Sequence, residues 1–353
     1  MRLNPLRTPL RALAGGALCS VLACAGTFTI TSLGDPKFDT EAAAINASGA
    51  AAVTAFADDP ASIASGINSQ GWVAGTTFGG NGAQATLFHD GQTWAVGGVG
   101  GGSFGRDVNN AGQVAGSANG RAYVAGNGQV SYLSHSLEAR LDSANAINEA
   151  GAVAGTMVDE WGVSRGYLWY NGQTVWTGML GGRNSAATNL NDAGHVVGFA
   201  ETGDAWMHAY LTRDGLTIDL GTLGGSSSYA YGVNNRSDVV GYSWRADGAM
   251  AAFLWTNGIM LDLSSLVEGI DGWELATAFG INDAGQIVGT GFFQGRRSAF
   301  RLDPVAAGSV AEVMRPVETL AAETPEPSTG FLIVIGIGLI FISRRLGDTR
   351  KSE

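Results

Sequence analysis

The sequence predicts an all-β fold, a β-propeller of about six four-stranded blades, on three observations. A ten-residue segment recurs along the chain: Gly66–Gly75 (GINSQGWVAG), Asp107–Gly116 (DVNNAGQVAG), Ala146–Gly155 (AINEAGAVAG), Asn189–Gly198 (NLNDAGHVVG), Gly232–Gly241 (GVNNRSDVVG) and Gly280–Gly289 (GINDAGQIVG). Its asparagines, Asn68, Asn109, Asn148, Asn191, Asn234 and Asn282, are 41, 39, 43, 43 and 48 residues apart, a period that marks a solenoid, propeller or array. Between copies lies a second hairpin signal, Asp90-Gly91, Asn127-Gly128, Asn171-Gly172, Asp214-Gly215 or Asn257-Gly258 between apolar runs.

Two hairpins per period make four strands, the content of a propeller blade. In the first, the asparagine hydrogen-bonds its own turn, and the closing glycine takes the left-handed backbone such a loop requires. An α-solenoid is excluded, since no segment holds a 3.6-residue apolar period and 54 glycines interrupt the 353 residues. A β-solenoid ranks second, because its rungs are usually shorter.

The ends of the array set the blade count. The last period has its asparagine turn and Ala299-Phe300-Arg301-Leu302 but no following strand. Thr27–Leu33 (TFTITSL) is the expected replacement, Leu33-Gly34 matching Leu220-Gly221, and would close the ring and remove its open edges. That gives six blades. A worn copy beginning at Ala44 (AINASGAAAV) is an irregular extra hairpin through Asp58, and counting it as a blade gives seven.

Residues 1–25 have the build of a signal peptide: Arg2, Arg7 and Arg11 precede the apolar Leu13–Leu22, and Ala23-Cys24-Ala25 fits cleavage between Ala25 and Gly26. Both cysteines, Cys19 and Cys24, fall there, so an exported chain without disulfides is expected from residue 26 on. The repeat domain is assigned to residues 26–303 and an Ala/Glu/Val/Pro linker to 304–323. In residues 324–353, Pro325-Glu326-Pro327 is followed by an apolar run, a transmembrane helix at about 328–343, and then by Arg344-Arg345. The arginines should stay cytoplasmic and leave everything upstream outside.

Residues Gly26–Thr329 hold 13 basic and 29 acidic side chains, a net charge of −16. A phosphate backbone repels such a surface, so nucleic acid is not an expected partner. The four histidines, His89, His135, His195 and His208, are too scattered for a metal cluster, and His195 at a turn position is expected to be exposed. Asp192, Glu149 and Asp283 follow repeat asparagines, but Ca²⁺ wants six to eight oxygens and Ser69 and Asn110 break the acidic pattern. Nucleophile-elbow, zincin and P-loop motifs do not occur, and no metal, cofactor or catalytic residue is assigned. Trp169 and Trp255 are expected in the core, whereas Trp72, Trp161, Trp206 and Trp244 are candidates for stacking on sugar rings.

Two resemblances complete the reading. G-I-N-x-x-G-x-V-V-G, A-F-L-W-x-x-G and Asp219–Gly225 (DLGTLGG) together resemble the HAF repeat of bacterial extracellular proteins, over roughly Thr27 to Asp303. The name-giving His-Ala-Phe survives as His208-Ala209-Tyr210. The tail, with Pro325, Glu326, Pro327, Arg344 and Arg345, resembles the PEP-CTERM sorting signal of Gram-negative bacteria. The resemblances imply passage through the export machinery, signal peptidase and an exosortase. The precursor would be held in the inner membrane by its C-terminal helix and delivered to the cell surface or extracellular matrix. The expected function there is non-enzymatic, a propeller binding exopolysaccharide, another glycan or a surface protein. The alternative is a propeller hydrolase or lyase acting on extracellular polysaccharide, which requires carboxylates converging from different blades.

Overall fold

Each N-x-x-G segment folds as a tight turn between the first two strands of a blade. Its glycine has positive φ, from +73° at Gly112 to +85° at Gly71, and Ser237 takes the same left-handed place at +66°. The asparagine Oδ1 accepts the backbone N–H four residues on in every copy, from Ala50 to Gln286. The second hairpins have positive φ at both central residues, as at Asn171 (+49°) and Gly172 (+80°), the geometry whose twist matches that of the flanking strands.

The computed structural model describes residues 28–305 except 35–36, 57–61, 81 and 134–138. The signal peptide with Ala25 and Gly26, most of the linker, and the sorting tail with Pro325, Glu326, Pro327, Arg344 and Arg345 lie outside the described residues.

Strand β1 (Phe28–Ser32) is followed by a two-stranded sheet of β2 (Asp39–Ile45) and β3 (Ala51–Phe56). The first blade is β4 (Ser62–Ile67), β5 (Val73–Gly79), β6 (Gly82–His89) and β7 (Gln92–Ala95). The second is β8 (Ser103–Val108), β9 (Val114–Ala118), β10 (Arg121–Gly126) and β11 (Gln129–Tyr132). The third is β12 (Ala139–Ile147), β13 (Val153–Asp159), β14 (Ser164–Tyr170) and β15 (Gln173–Thr177). The fourth is β16 (Gly181–Leu190), β17 (Val196–Thr202), β18 (Met207–Arg213) and β19 (Leu216–Asp219). The fifth is β20 (Gly224–Val233), β21 (Val239–Arg245), β22 (Met250–Thr256) and β23 (Ile259–Asp262). After a 3₁₀ turn at Leu263–Leu266 come β24 (Val267–Glu268), β25 (Trp273–Ile281), β26 (Ile287–Phe293) and β27 (Arg296–Pro304). Strands β25, β26, β27 and β1 make the sixth blade, and β24 adds a short parallel edge outside β1.

Strand β1 pairs antiparallel with β27 from Phe28↔Pro304 to Ser32↔Phe300, so the N-terminal strand closes the last blade. The Leu33 N–H donates to the Ala299 carbonyl as the Leu220 N–H does to Ala209, which gives the matching Leu-Gly pairs a common structural place. The last strand runs one residue past the expected domain end, to Pro304.

A ring of hydrogen bonds runs through the turns. The side-chain amide of each asparagine donates to the backbone carbonyl of the next: Asn46 to Asn68, Asn68 to Asn109, Asn109 to Asn148, Asn148 to Asn191, Asn191 to Asn234, and Asn234 to Asn282. Asn282 donates back to Asn46 at 3.0 Å. Six blades therefore have four strands, while the two-stranded sheet takes a seventh place in the ring. That sheet is tied to the sixth blade by the Arg297–Glu41 ion pair and by the Ala299 N–H donating to Thr40 Oγ1.

The closing glycine of the repeat is a packing requirement. A Cβ on Gly198 would lie 1.9 Å from the Ala186 carbonyl oxygen, and the same clash recurs at Gly75, Gly116, Gly155, Gly241 and Gly289. The aromatic residue of the third strand lies directly across from it: Gly116↔Tyr123, Gly155↔Tyr167, Gly198↔Tyr210, Gly241↔Phe253 and Gly289↔Phe300. All five rings are fully buried between neighbouring blades. In the first blade Thr86 stands there, opposite Gly75.

Candidate functional site in the axial channel

The innermost strand of every blade, and of the two-stranded sheet, carries a β-bulge at the same place, three residues before the asparagine. The residues left unpaired are Ala43, Ser65, Arg106, Asn145, Thr188, Tyr231 and Phe279. A bulge re-aims its extra residue out of the ladder. All seven line one axial cavity of about 560 Å³, a size suited to a small ligand.

The frame repeats, but the seven side chains do not. Tyr231 and Phe279 are neighbours with ring centroids 5.3 Å apart, and Tyr231 stacks on Tyr242 at 6.0 Å. Arg106 stands three places from Tyr231 in one direction and three from Phe279 in the other, so it faces this aromatic wall. Asn145 and Thr188 supply an amide and a hydroxyl on the polar arc between, where Asn145 donates to the Ala187 carbonyl (2.7 Å) and Thr188 to that of Ala230 (2.7 Å).

Arg106 lies over the Phe104 ring, 5.7 Å from its centroid, and among the described residues no carboxylate pairs with it. Arg106 is exposed to the channel, and desolvation by the surrounding walls lowers its guanidinium pKa from the usual arginine value, with Tyr123 acting the other way. Next to it, burial pushes the Asp107 carboxyl up to about 7, against two stabilising amide bonds and with Glu149 adding repulsion. The two amides are the N–H groups of Val108 and of Ile147 in the next blade, each at 2.9 Å. Gly66 makes room for this carboxylate, since a Cβ there would lie 2.4 Å from its Oδ1. The other carboxylate on the channel, Glu41, is engaged by Arg297.

At the end of the channel marked by the asparagine turns, a shallower mouth of about 280 Å³ is lined by Glu149, Asp192 and Asp283. These carboxylates, with Asn110 and Asn235, accept the backbone N–H of the preceding blade's equivalent residue, in a chain from Ser69 to Asp283. The chain stops at Ala47, which has no acceptor. The position after a repeat asparagine thus selects an acceptor of any charge, which accounts for Asn, Glu and Asp standing there, whereas Ser69 at the head of the chain donates its hydroxyl to Asn110 Oδ1. Among the described residues no three acidic, histidine or cysteine side chains converge as a metal site.

The structure places the other described sequence candidates outside the channel, and His135 lies outside the described residues. Trp161 and Trp206 are 78% and 53% exposed on loops, and Trp244 is also exposed. Trp72 stacks on His89 at 4.5 Å and packs against Trp94. His195 departs from its expected exposure: it is half-buried, with Nδ1 2.9 Å from Ser237 Oγ of the next blade, because that turn packs against its neighbour. His208 pairs with Asp219 at the second hairpin of its blade. The six repeat asparagines hold the ring already described, joined by Asn46. The bulge residues carry no motif of their own in the sequence, although a fixed offset from Asn together with changing identity marks them.

Residues 323–351 match the PEP-CTERM protein-sorting motif. The match implies export and exosortase sorting to the surface or extracellular space. No curated protein matches the chain in sequence. Among solved structures, it is similar to a gluconolactonase from Xanthomonas campestris at 14% identity, covering 79% of this chain and 98% of that one, TM-score 0.42. The β-propeller domain of the Trilobed protease from Pyrococcus furiosus is similar at 13% identity, over 70% of this chain and 86% of that one, TM-score 0.43. An acylaminoacyl peptidase from Pyrococcus horikoshii is similar at 14% identity and TM-score 0.43, over 70% of this chain, which spans 46% of the peptidase. Among the described residues no helix is long and apolar enough to cross a membrane, and the expected span at about 328–343 lies outside them.

Proposed function

We propose that this chain is a HAF-repeat surface or matrix protein whose propeller binds a glycan or protein ligand in its axial channel without turning it over. The observation that carries the reading is the contrast within each innermost strand. Asparagine and glycine are held nearly constant to build the ring, while the bulged residue between neighbouring blades varies in size, charge and polarity. A purely structural ring has no need of that variety; a binding site built from seven places does.

Binding without turnover is supported by the state of the carboxylates on the channel and its mouth. Asp107, though raised to about 7, has both oxygens on backbone amides, Glu41 is held by Arg297, and Glu149, Asp192 and Asp283 each accept a backbone N–H, so no pair of them is left unengaged as acid and base. In this reading the signal peptide is removed between Ala25 and Gly26. The tail with Pro325, Glu326, Pro327, Arg344 and Arg345 holds the precursor in the inner membrane until an exosortase processes it. A glycan array, followed by mass analysis of the solution above it, tests the reading. Retained glycan with no released oligosaccharide is expected; released product would replace it with a polysaccharide hydrolase or lyase.

A further inference from the structure

The channel's ligand class is legible in its walls, an inference that rests on the channel being the binding site. The geometry points to an anionic saccharide, a sugar ring carrying a carboxylate, held between Arg106 and the Tyr231–Phe279 wall. An aromatic face offers a flat, apolar surface with a negative quadrupole, which suits the C–H face of a pyranose and not a second anion. Three places away in either direction around the ring of seven stands the one cation among the bulge residues. Its planar fork is built for bidentate contact with a carboxylate. Arg106 has no carboxylate partner of its own among the described residues, so its charge is free for a ligand within a strongly acidic protein. Neighbouring Asn145 and Thr188 line the polar arc between, their N–H and O–H groups held by the protein and their oxygens left to accept from ring hydroxyls.

The charges elsewhere set the direction of entry. Glu149, Asp192 and Asp283 surround the mouth at the asparagine turns and repel an anion there. Within the cavity Glu41 is neutralised by Arg297, which removes a repulsive charge from the path of an anionic chain. Asp107, adjacent to Arg106, turns its oxygens onto the amides of Val108 and Ile147 and so leaves the guanidinium uncovered.

Isothermal titration calorimetry of the full chain against digalacturonate and neutral cellobiose tests this. Digalacturonate should bind at least about tenfold more tightly, the worth of one charged hydrogen-bonded contact. Arg106→Gln should erase that preference while leaving the melting temperature unchanged, and Tyr231→Ala should weaken both sugars. Equal binding of the two sugars, or a preference that survives Arg106→Gln, overturns the anionic assignment and leaves the glycan reading standing. Competition by acetate as strong as by digalacturonate also overturns it, since the sugar ring would then contribute nothing. Failure of every sugar here and on the array removes both the assignment and the glycan reading.

Discussion

Asn282 donates from its side-chain amide to the backbone carbonyl of Asn46 at 3.0 Å, across 236 residues of chain, and this bond closes the ring of seven asparagines. Both residues are buried. Removing the amide takes from the Asn46 carbonyl one of its two hydrogen bonds, the Gly49 N–H remaining, at about 0.5–1.5 kcal/mol, and leaves the Gln286 N–H without its partner, at about 1–3 kcal/mol. Asn282→Ala should therefore lower unfolding stability by about 2–4 kcal/mol in a urea titration. A loss under about 0.5 kcal/mol would show that the ring is incidental to the fold.

The glycine at the end of each repeat gives a sharper test. Gly198→Ala places a methyl 1.9 Å from the Ala186 carbonyl oxygen, a backbone atom that cannot step aside as a side chain would. Loss of roughly 3 kcal/mol or more, or failure to fold, is expected from such overpacking. Gly203, with nothing within 4 Å of a built Cβ, is the control. Gly203→Ala should change stability by no more than about 0.5 kcal/mol.

Asp107 makes stability depend on pH in a predictable direction. Its folded-state pKa is raised from 3.8 to about 7 by burial, so the folded protein binds the proton more tightly than the unfolded chain between those values. Stability contributed by this group is therefore present below about pH 4 and is lost as pH rises toward 7. Asp107→Asn removes the titration, so the wild type should lose stability relative to the variant as pH rises from 4 to 7.5. Urea unfolding across that range checks it, and a wild type that gains on the variant would reverse the sign.

Much of this architecture was legible in the sequence because tight turns have strict chemistry. The Asn-Gly and Asp-Gly pairs fix positive φ at two successive residues, and few sequences tolerate that, so all five expected second hairpins stand where the pattern put them. The closing strand was legible by elimination, since the last period lacked one. The place of the worn copy was harder: Asn46 keeps the turn, but its sheet stops after β3, and no local signal shows that two strands suffice to fill a seventh place. The channel was least legible. Bulges arise from register between strands, which a single-strand pattern does not display, so attention to what repeats passed over Arg106, Tyr231 and Phe279, which do not.

Strand β1 should contribute far more than a terminal segment usually does. It buries Phe28 in the core shared with Leu302 and Leu266 and supplies the outer partner of β27. Burial of one phenylalanine and half of Ile30, with a strand's worth of hydrogen bonds, is worth roughly 5 kcal/mol, comparable to a domain's net stability. A chain beginning at Asp35 should aggregate or melt well below one beginning at Gly26. Equal melting temperatures would mean that β1 does not close the sixth blade.

Binding in the axial channel is the central claim, and blocking the channel addresses it directly. Ser65→Trp puts an indole at a bulge position facing the cavity, while Trp206→Ala removes an exposed aromatic on a loop outside it. Glycan-array profiles of the wild type and both variants, each first confirmed folded by its melting temperature, are the measurement. The channel account predicts that Ser65→Trp loses the wild-type signals by about tenfold or more and that Trp206→Ala keeps them. Retention of those signals by Ser65→Trp together with their loss in Trp206→Ala would place the binding face on the outer loops and contradict it.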